Sequence, residues 1–336
     1  MSMVNPFSGN AFNTMALTSA INILPNQFGL IEQLGLMPPR PTRQTIVAFE
    51  EYQGILQLLP SVPRGAPSTV GKRGSRKVRT CAVPHIPHDD VVKPEEVQNL
   101  RAFGTEDELA ALSDIMAMHL QHMRNKHAIT LEYHRMGAIK GIILDADGSV
   151  IYNLYDEFGI TPKVINFQFS NPTFDVKGAC LSIRRWVELH LFGEVMNGVT
   201  ALVSPEFYDA FTSHPRVEKA WQFYQNGQLL QADTRKGFPF GGVTFQEYIG
   251  QASDDQGTIR RFIAEGEGHA LPTGTAQTFC TYFAPADMME AVNALGLPLY
   301  AKVEPMKFNR GAELHTQSNP LAMCHRPQLL VQLTMD

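Results

Sequence analysis

The sequence predicts a mixed α+β chain shaped to meet other copies of itself, and three observations carry that reading. Strands and helices alternate without the regular βαβ repeat of a doubly wound sheet. One long capped helix has no second helix of matching length to pair with. Between Tyr52 and His88 lie six bases (Arg64, Lys72, Arg73, Arg76, Lys77, Arg79) and no acid, and the next twenty residues reverse the sign. From Asp89 to Glu108 there are seven acids, Asp89, Asp90, Glu95 and Glu96 among them, against Lys93 and Arg101. A cationic extension followed by an anionic approach to a helix suits a contact between subunits. A solvated loop has the same composition. Phosphate contact is a third option, but the basic cluster holds no aromatic residue for base stacking and the chain is net −5.

The totals describe an ordinary chain able to bury a core. Its 336 residues suggest roughly two domains, and 44% of them are hydrophobic against 18% charged. No run approaches the ~20 apolar residues of a membrane span, and the N-terminus lacks the basic and apolar regions of a signal peptide. Cys81, Cys180, Cys280 and Cys324 are far apart and lack CxxC spacing. They read as reduced thiols of a cytosol-like compartment, not as a disulfide framework or zinc site.

Residues 1–42 carry only Glu32 and Arg40 as charges and end in Met37-Pro-Pro-Arg-Pro41. Successive prolines cannot propagate a helix, so this segment reads as an arm, ordered where it lies on something else. Thr45 to Leu59 has strand character and Val78 to Val83 reads as the returning strand. An isolated hairpin is marginal in water and needs a partner surface. Thr105-Glu-Asp-Glu108 is a capping box. Leu109, Leu112, Met116, Leu120, Met123, Ile129 and Met136 keep helical spacing as far as Gly137, a plausible stop. At ~1.5 Å per residue that rod is about 46 Å long. Gly141 to Tyr155 reads as a hairpin turning at Asp145-Ala-Asp-Gly148. Then come an amphipathic helix over Leu181–Phe192, a buried strand over Val199–Val203 and a helix begun by Ser204-Pro205. Strands follow near Val243–Ile249, Arg260–Ala264 and Thr278–Phe283, and Val303–Asp336 returns as extended chain.

Several motifs imitate catalytic sites. Ile142-Ile-Leu-Asp145-Ala-Asp147 resembles the first motif of haloacid dehalogenase-type phosphatases, with Asp145 as nucleophile, Asp147 as acid/base and Asp254-Asp255 as a metal pair. A turn that uses Asp and Gly for local hydrogen bonds explains the same letters. Gly65 to Arg73 imitates a phosphate-binding loop, but five residues separate Gly65 from Gly71 and Arg73 replaces the required Ser/Thr. His119 and His122 share a helix face without a carboxylate or cysteine at recognised ligand spacing. Pro84-His85-Ile-Pro-His88 is rigid and equally incomplete. No Gly-x-Ser-x-Gly elbow occurs. No catalytic residue, cofactor or metal is expected.

The order of parts is more specific than any motif. An uncharged arm, a basic β excursion, an acidic stretch, one long helix, a small hairpin, an α+β unit and an extended return follow one another. Leu271-Pro-Thr-Gly274 leads into Thr278-Phe-Cys-Thr-Tyr282 and Phe308-Asn-Arg-Gly311, and the chain closes with Ser318-Asn-Pro-Leu-Ala-Met-Cys-His-Arg-Pro-Gln-Leu-Leu-Val-Gln-Leu333. This layout resembles the major capsid proteins of tailed bacteriophages, most closely the lambda-like capsid protein E family. The resemblance implies the Hong Kong-type (HK97-like) capsid fold. Residues 1–42 would be the N-arm and 43–100 the E-loop. Residues 101–178 with 302–336 would form the peripheral domain around a spine helix at 105–136, and 179–301 the axial domain. It implies a structural subunit of a virion, self-assembling through hexamers and pentamers in the host cytoplasm. The implied partners are a portal protein, a separate scaffolding protein, a decoration protein and non-specifically held packaged DNA, with no membrane. The separate scaffold is expected because no charged helical prefix precedes the arm. Lys72 and Lys77 have no acid in their loop to promote a crosslink, and none is expected. An encapsulin-like compartment shell is the alternative within the same fold.

Overall fold

The computed structural model describes residues 14–23, 29–53, 75–97, 108–191, 193–224, 234–254 and 256–335. The chain forms two compact units. One comprises Met1–Val47, Cys81–Arg135 and Cys280–Met323; the other comprises Ala48–Thr80, Met136–Phe279 and Cys324–Asp336.

The first unit is built on the long helix, Glu108–Lys140, which contributes its residues up to Arg135. At 33 residues the whole helix is about 50 Å long. Its apolar residues recur at helical spacing, so Ile115, Met116 and Met123 fall on one face. There they pack with Val92 and Leu314. Those two come from a three-stranded antiparallel sheet ordered Tyr300–Pro305, Ala312–Ser318, Ile86–Val92. Its register pairs Tyr300 with Gln317 and Ala312 with Val92.

The low-charge N-terminal segment is tied to this unit. Leu17 and Ile21 of the helix Thr14–Ile23 pack with Leu120, Leu299 and Ala301. Burying each such side chain contributes about 1.5–3 kcal/mol. The Thr18 hydroxyl accepts from the Ala301 N–H at 3.1 Å and donates to its carbonyl at 3.3 Å. Further on, the Ile31 N–H donates to Glu132 at 2.9 Å, and Arg135 donates to Glu32 at 3.1 Å and to the Thr281 hydroxyl at 3.3 Å. Pro39–Pro41 is extended, as its prolines require, and forms the edge of a sheet with Phe279–Phe283 and Pro320–Cys324. An edge is where a strand lacking N–H donors is tolerated.

The second unit is a six-stranded mixed sheet ordered Lys163–Phe167, Val331–Met335, Glu267–Thr273, Gly198–Val203, Val243–Glu247, Phe238–Phe240. Helix Val176–His190 lays Val176, Cys180, Ile183 and Val187 into its core beside Phe167, Phe207, Phe211 and Phe245. The Phe211 and Phe245 rings stack at 4.2 Å between centroids, and Phe167 meets Phe207 edge-on at 5.4 Å. Ser204 caps the helix Pro205–Ser213, its Oγ accepting from Phe207 N–H at 3.3 Å and from Gly266 N–H at 3.1 Å.

Two expectations are corrected. The long helix does not stop at Gly137 but runs to Lys140, and Gly141 takes the left-handed φ of +83° that ends it. Gly137 serves packing: a Cβ there would lie 2.9 Å from the Ile142 carbonyl oxygen and the Ile143 Cα. The extended reading of Val150–Tyr155 holds only to Asn153, whose side chain accepts from the Tyr155 N–H and starts the short helix Leu154–Phe158. The compact units are divided at other positions than the expected 178/179 and 301/302 boundaries of the peripheral and axial domains. Lys163–Phe167 and Val331–Met335 pair with each other inside the six-stranded sheet, whereas 280–301 belongs with the long helix. The capping box at Thr105 and the segments 1–13 and 24–28 lie outside the described residues.

Candidate interface residues

Strands Ile46–Gln53 and Ser75–Ala82 form a two-stranded sheet, so the base of the expected excursion is present. Arg64, Lys72 and Arg73 lie outside the described residues, and Arg76 and Lys77 sit on the returning strand. Arg79 is engaged within its own unit: its guanidinium donates to the Glu157 carbonyl and lies 4.6 Å from the Phe158 ring centroid.

The acids beyond the excursion also find partners in their own unit. Asp89 pairs with His315. His119 is held between Asp90 at 2.7 Å and Glu96 at 3.1 Å. Glu95 lies 3.7 Å from Lys93 and both are exposed, a pair worth only about 0–1 kcal/mol. Burial opposes charge on the His119 ring, but the hydrogen bonds and charges of Asp90 and Glu96 outweigh it and hold its pKa above the ordinary value. Burial likewise opposes charge on Asp90, yet His119, the Val91 N–H and Lys126 bring its pKa below the usual carboxylate range. His127 is buried, with its Nε2 3.0 Å from the Thr316 hydroxyl. Desolvation, aided by His88, His315 and Lys126, pushes its pKa down to about 4.

Sequence spacing could not reveal the His119 site. Its carboxylates stand 29 and 23 residues upstream, brought in by the Ile86–Val92 strand and the turn of helix Pro94–Val97. Sign alternation found the acids but not the histidines that bind them. Among the described residues no three His, Cys, Asp or Glu side chains are grouped to hold a metal ion.

The phosphatase-like motif is a turn. Gly148 N–H donates to the Asp145 carbonyl at 2.9 Å and takes a φ of +86°. Asp145 and Asp147 each accept from a following backbone N–H, of Ala146 and Ser149. Hydrogen bonds from Ser149, helped by Arg260, lower the pKa of the exposed Asp147. Arg260 donates to the Asp147 carbonyl at 2.6 Å and to Asp254 at 3.0 Å. A guanidinium thus sits between the acids a phosphatase would set around magnesium. Asp255 lies outside the described residues.

The first unit also carries an open cleft of about 750 Å3. Its wall is apolar over Ala284, Pro285, Ala286 and Val292, and its polar lining includes His85 and Asn319, 2.9 Å apart. Ile46 and Val292, both on this lining, are more than half exposed.

The family model for phage major capsid protein E matches residues 13–335. The major capsid protein of Pseudomonas phage KPP10 is 33% identical over 97% of this chain and 98% of its own length. That of Salmonella phage Felix O1 is 29% identical over 95% of each. Among solved structures, the mature capsid of bacteriophage PhiM1 covers 93% of this chain and 88% of its own at 12% identity and a TM-score of 0.56, a likeness of fold. With that α+β, HK97-like architecture and a match running almost from end to end, the chain belongs to the phage major capsid protein E family.

Proposed function

We propose that this chain is the major capsid subunit of a tailed phage. Copies assemble through hexamers and pentamers into an icosahedral head that encloses double-stranded DNA. The observation that carries the reading is the capsid relative aligned over 97% of the chain. The chemistry supports it: the phosphatase-like acids bind backbone N–H groups and Arg260, so a structural role is favoured over catalysis. In this reading residues 1–42 are the N-arm and the sheet at 46–53 and 75–82 is the base of the E-loop. The unit with the long helix is the core of the peripheral domain, and the six-stranded unit is the core of the axial domain. A portal protein, a separate scaffolding protein, a decoration protein and packaged DNA are its further partners, and the virion is its place.

Expression with its scaffold should give shells visible by electron microscopy and holding no enzyme cargo. A protein that stays monomeric under those conditions rejects the reading. Arg64, Lys72, Arg73, Arg76 and Lys77 are proposed to meet acidic surface on a neighbour. Among the described acids of that stretch Asp89, Asp90 and Glu96 already hold histidines, and exposed Glu95, only weakly paired with Lys93, stays open to such a contact. Arg76→Glu with Lys77→Glu should lower particle yield at low salt and less at 1 M salt, where the Debye length is ~3 Å. Undiminished yield at both salts would remove the charge-pairing part of the reading.

A further inference from the structure

The hairpin joining Tyr300–Pro305 to Ala312–Ser318 ends in Lys307-Phe308-Asn309-Arg310. Phe308 is 88% exposed and has a φ of +61°, a region where a bulky side chain is a genuine outlier. The tip is built to hold it there. Met306 N–H donates to the Gly311 carbonyl and Asn309 N–H to the Met306 carbonyl, both at 3.0 Å. Gly311 has a φ of +152°, and a Cβ on it would lie 2.6 Å from the Val92 carbonyl oxygen. Arg310 reaches one side of the Phe308 ring, 5.6 Å from its centroid. A strained backbone that presents an aromatic ring to solvent, with Lys307 and Arg310 beside it in the sequence, has the form of an anchor for a partner.

The same unit carries a recess of matching chemistry. The cleft bounded by Ala284, Ala286, Ala291 and Val292 has about 750 Å3 of space, within the range that takes a compact side-chain cluster. Val292 is 60% exposed at its edge. Asp287 is the one carboxylate of its lining and Arg43 the one Lys or Arg.

We propose that the Phe308 tip of one copy seats in the 284–293 cleft of a neighbouring copy, with Lys307 or Arg310 against Asp287. The inference rests on the capsid reading, which supplies the second copy. Knob and cleft are different surfaces, so the contact is heterologous. Such contacts propagate around a ring instead of closing a two-fold dimer.

The test pairs Phe308→Cys with Val292→Cys, against a background of native cysteines that are all buried. In particles made with scaffold and mildly oxidised, the double variant should give a ladder of crosslinked subunits on a non-reducing gel. Neither single variant should do so. Particles without a ladder, or a crosslinked dimer from Phe308→Cys alone, would overturn the contact; the latter would mean that tip meets tip. A second reading needs no cysteine. Phe308→Ala should lower particle yield at least ten-fold near the assembly threshold while Phe308→Leu keeps most of it, and equal yields for Phe308→Ala and the natural chain refute the anchor. If the natural chain itself forms no particles, it is the capsid reading that fails.

Discussion

Replacing Gly137 by Ala sets two well-characterised effects against each other. In an ordinary helix interior, alanine is more favourable than glycine by about 0.8–1 kcal/mol. Gly137 lies inside the Glu108–Lys140 helix, so propensity alone predicts a more stable protein. Packing predicts the reverse. The added Cβ would stand 2.9 Å from two backbone atoms, the Ile142 oxygen and the Ile143 Cα. Neither can rotate aside. Ile142–Leu144 is paired to Val150–Asn153, and Ile143 is buried, so the hairpin would have to shift as a body. Overpacking of this kind costs about 1–3 kcal/mol. The balance is a net loss of about 1 kcal/mol. The assay is urea denaturation of the unassembled subunit, read as the midpoint at unchanged slope. Ala117→Gly, at an exposed position of the same helix, is the control and should cost about 1 kcal/mol through propensity alone. A midpoint for Gly137→Ala above that of the natural chain would refute the packing argument.

Three further outcomes follow from the same structure. The folded pKa of His127, about 4, lies below its unfolded value near 6.5, so the unfolded chain takes the proton first. Stability is lost as pH falls from about 6.5 towards 4, by about 3 kcal/mol in all. His119 acts oppositely: its raised pKa gives stability that is complete below the unfolded value and lost as pH rises through the folded one. Denaturation midpoints of His127→Gln between pH 7 and 4.5 should therefore fall less steeply than those of the natural chain, and parallel slopes would discard His127 as the acid-sensitive group. Ser204→Ala removes the acceptor of two backbone N–H groups and should cost about 1–2 kcal/mol by the same measurement; a loss below ~0.3 kcal/mol would mean that water replaces the cap. Asp145→Asn keeps the turn's side-chain acceptor and should leave particle yield unchanged, whereas a magnesium-dependent phosphatase activity abolished by it would falsify the structural reading of that motif.

Local signals determined much of this protein by sequence alone. The spacing of Met116, Leu120 and Met123 specified the long helix, Ser204-Pro205 specified a helix start, and Asp145 to Gly148 specified a turn, because each depends on residues a few positions apart. The prolines at 38, 39 and 41 required extended chain for the same reason. Tertiary structure decided what depends on distant residues. Gly137 reads as a stop because glycine ends helices, yet here it admits the close approach of residues 142 and 143. The paired residues of Lys163–Phe167 and Val331–Met335 are 168 positions apart and become neighbours only in the sheet, so no local boundary could place them in one unit. The acids at 89, 90 and 96 read as half of a charge pattern, but the folded chain gives them to His315 and His119. Side-chain type and spacing carry propensity and turn chemistry. Which carboxylate reaches which imidazole, and where a missing Cβ is needed, follow from packing between segments that the sequence keeps far apart.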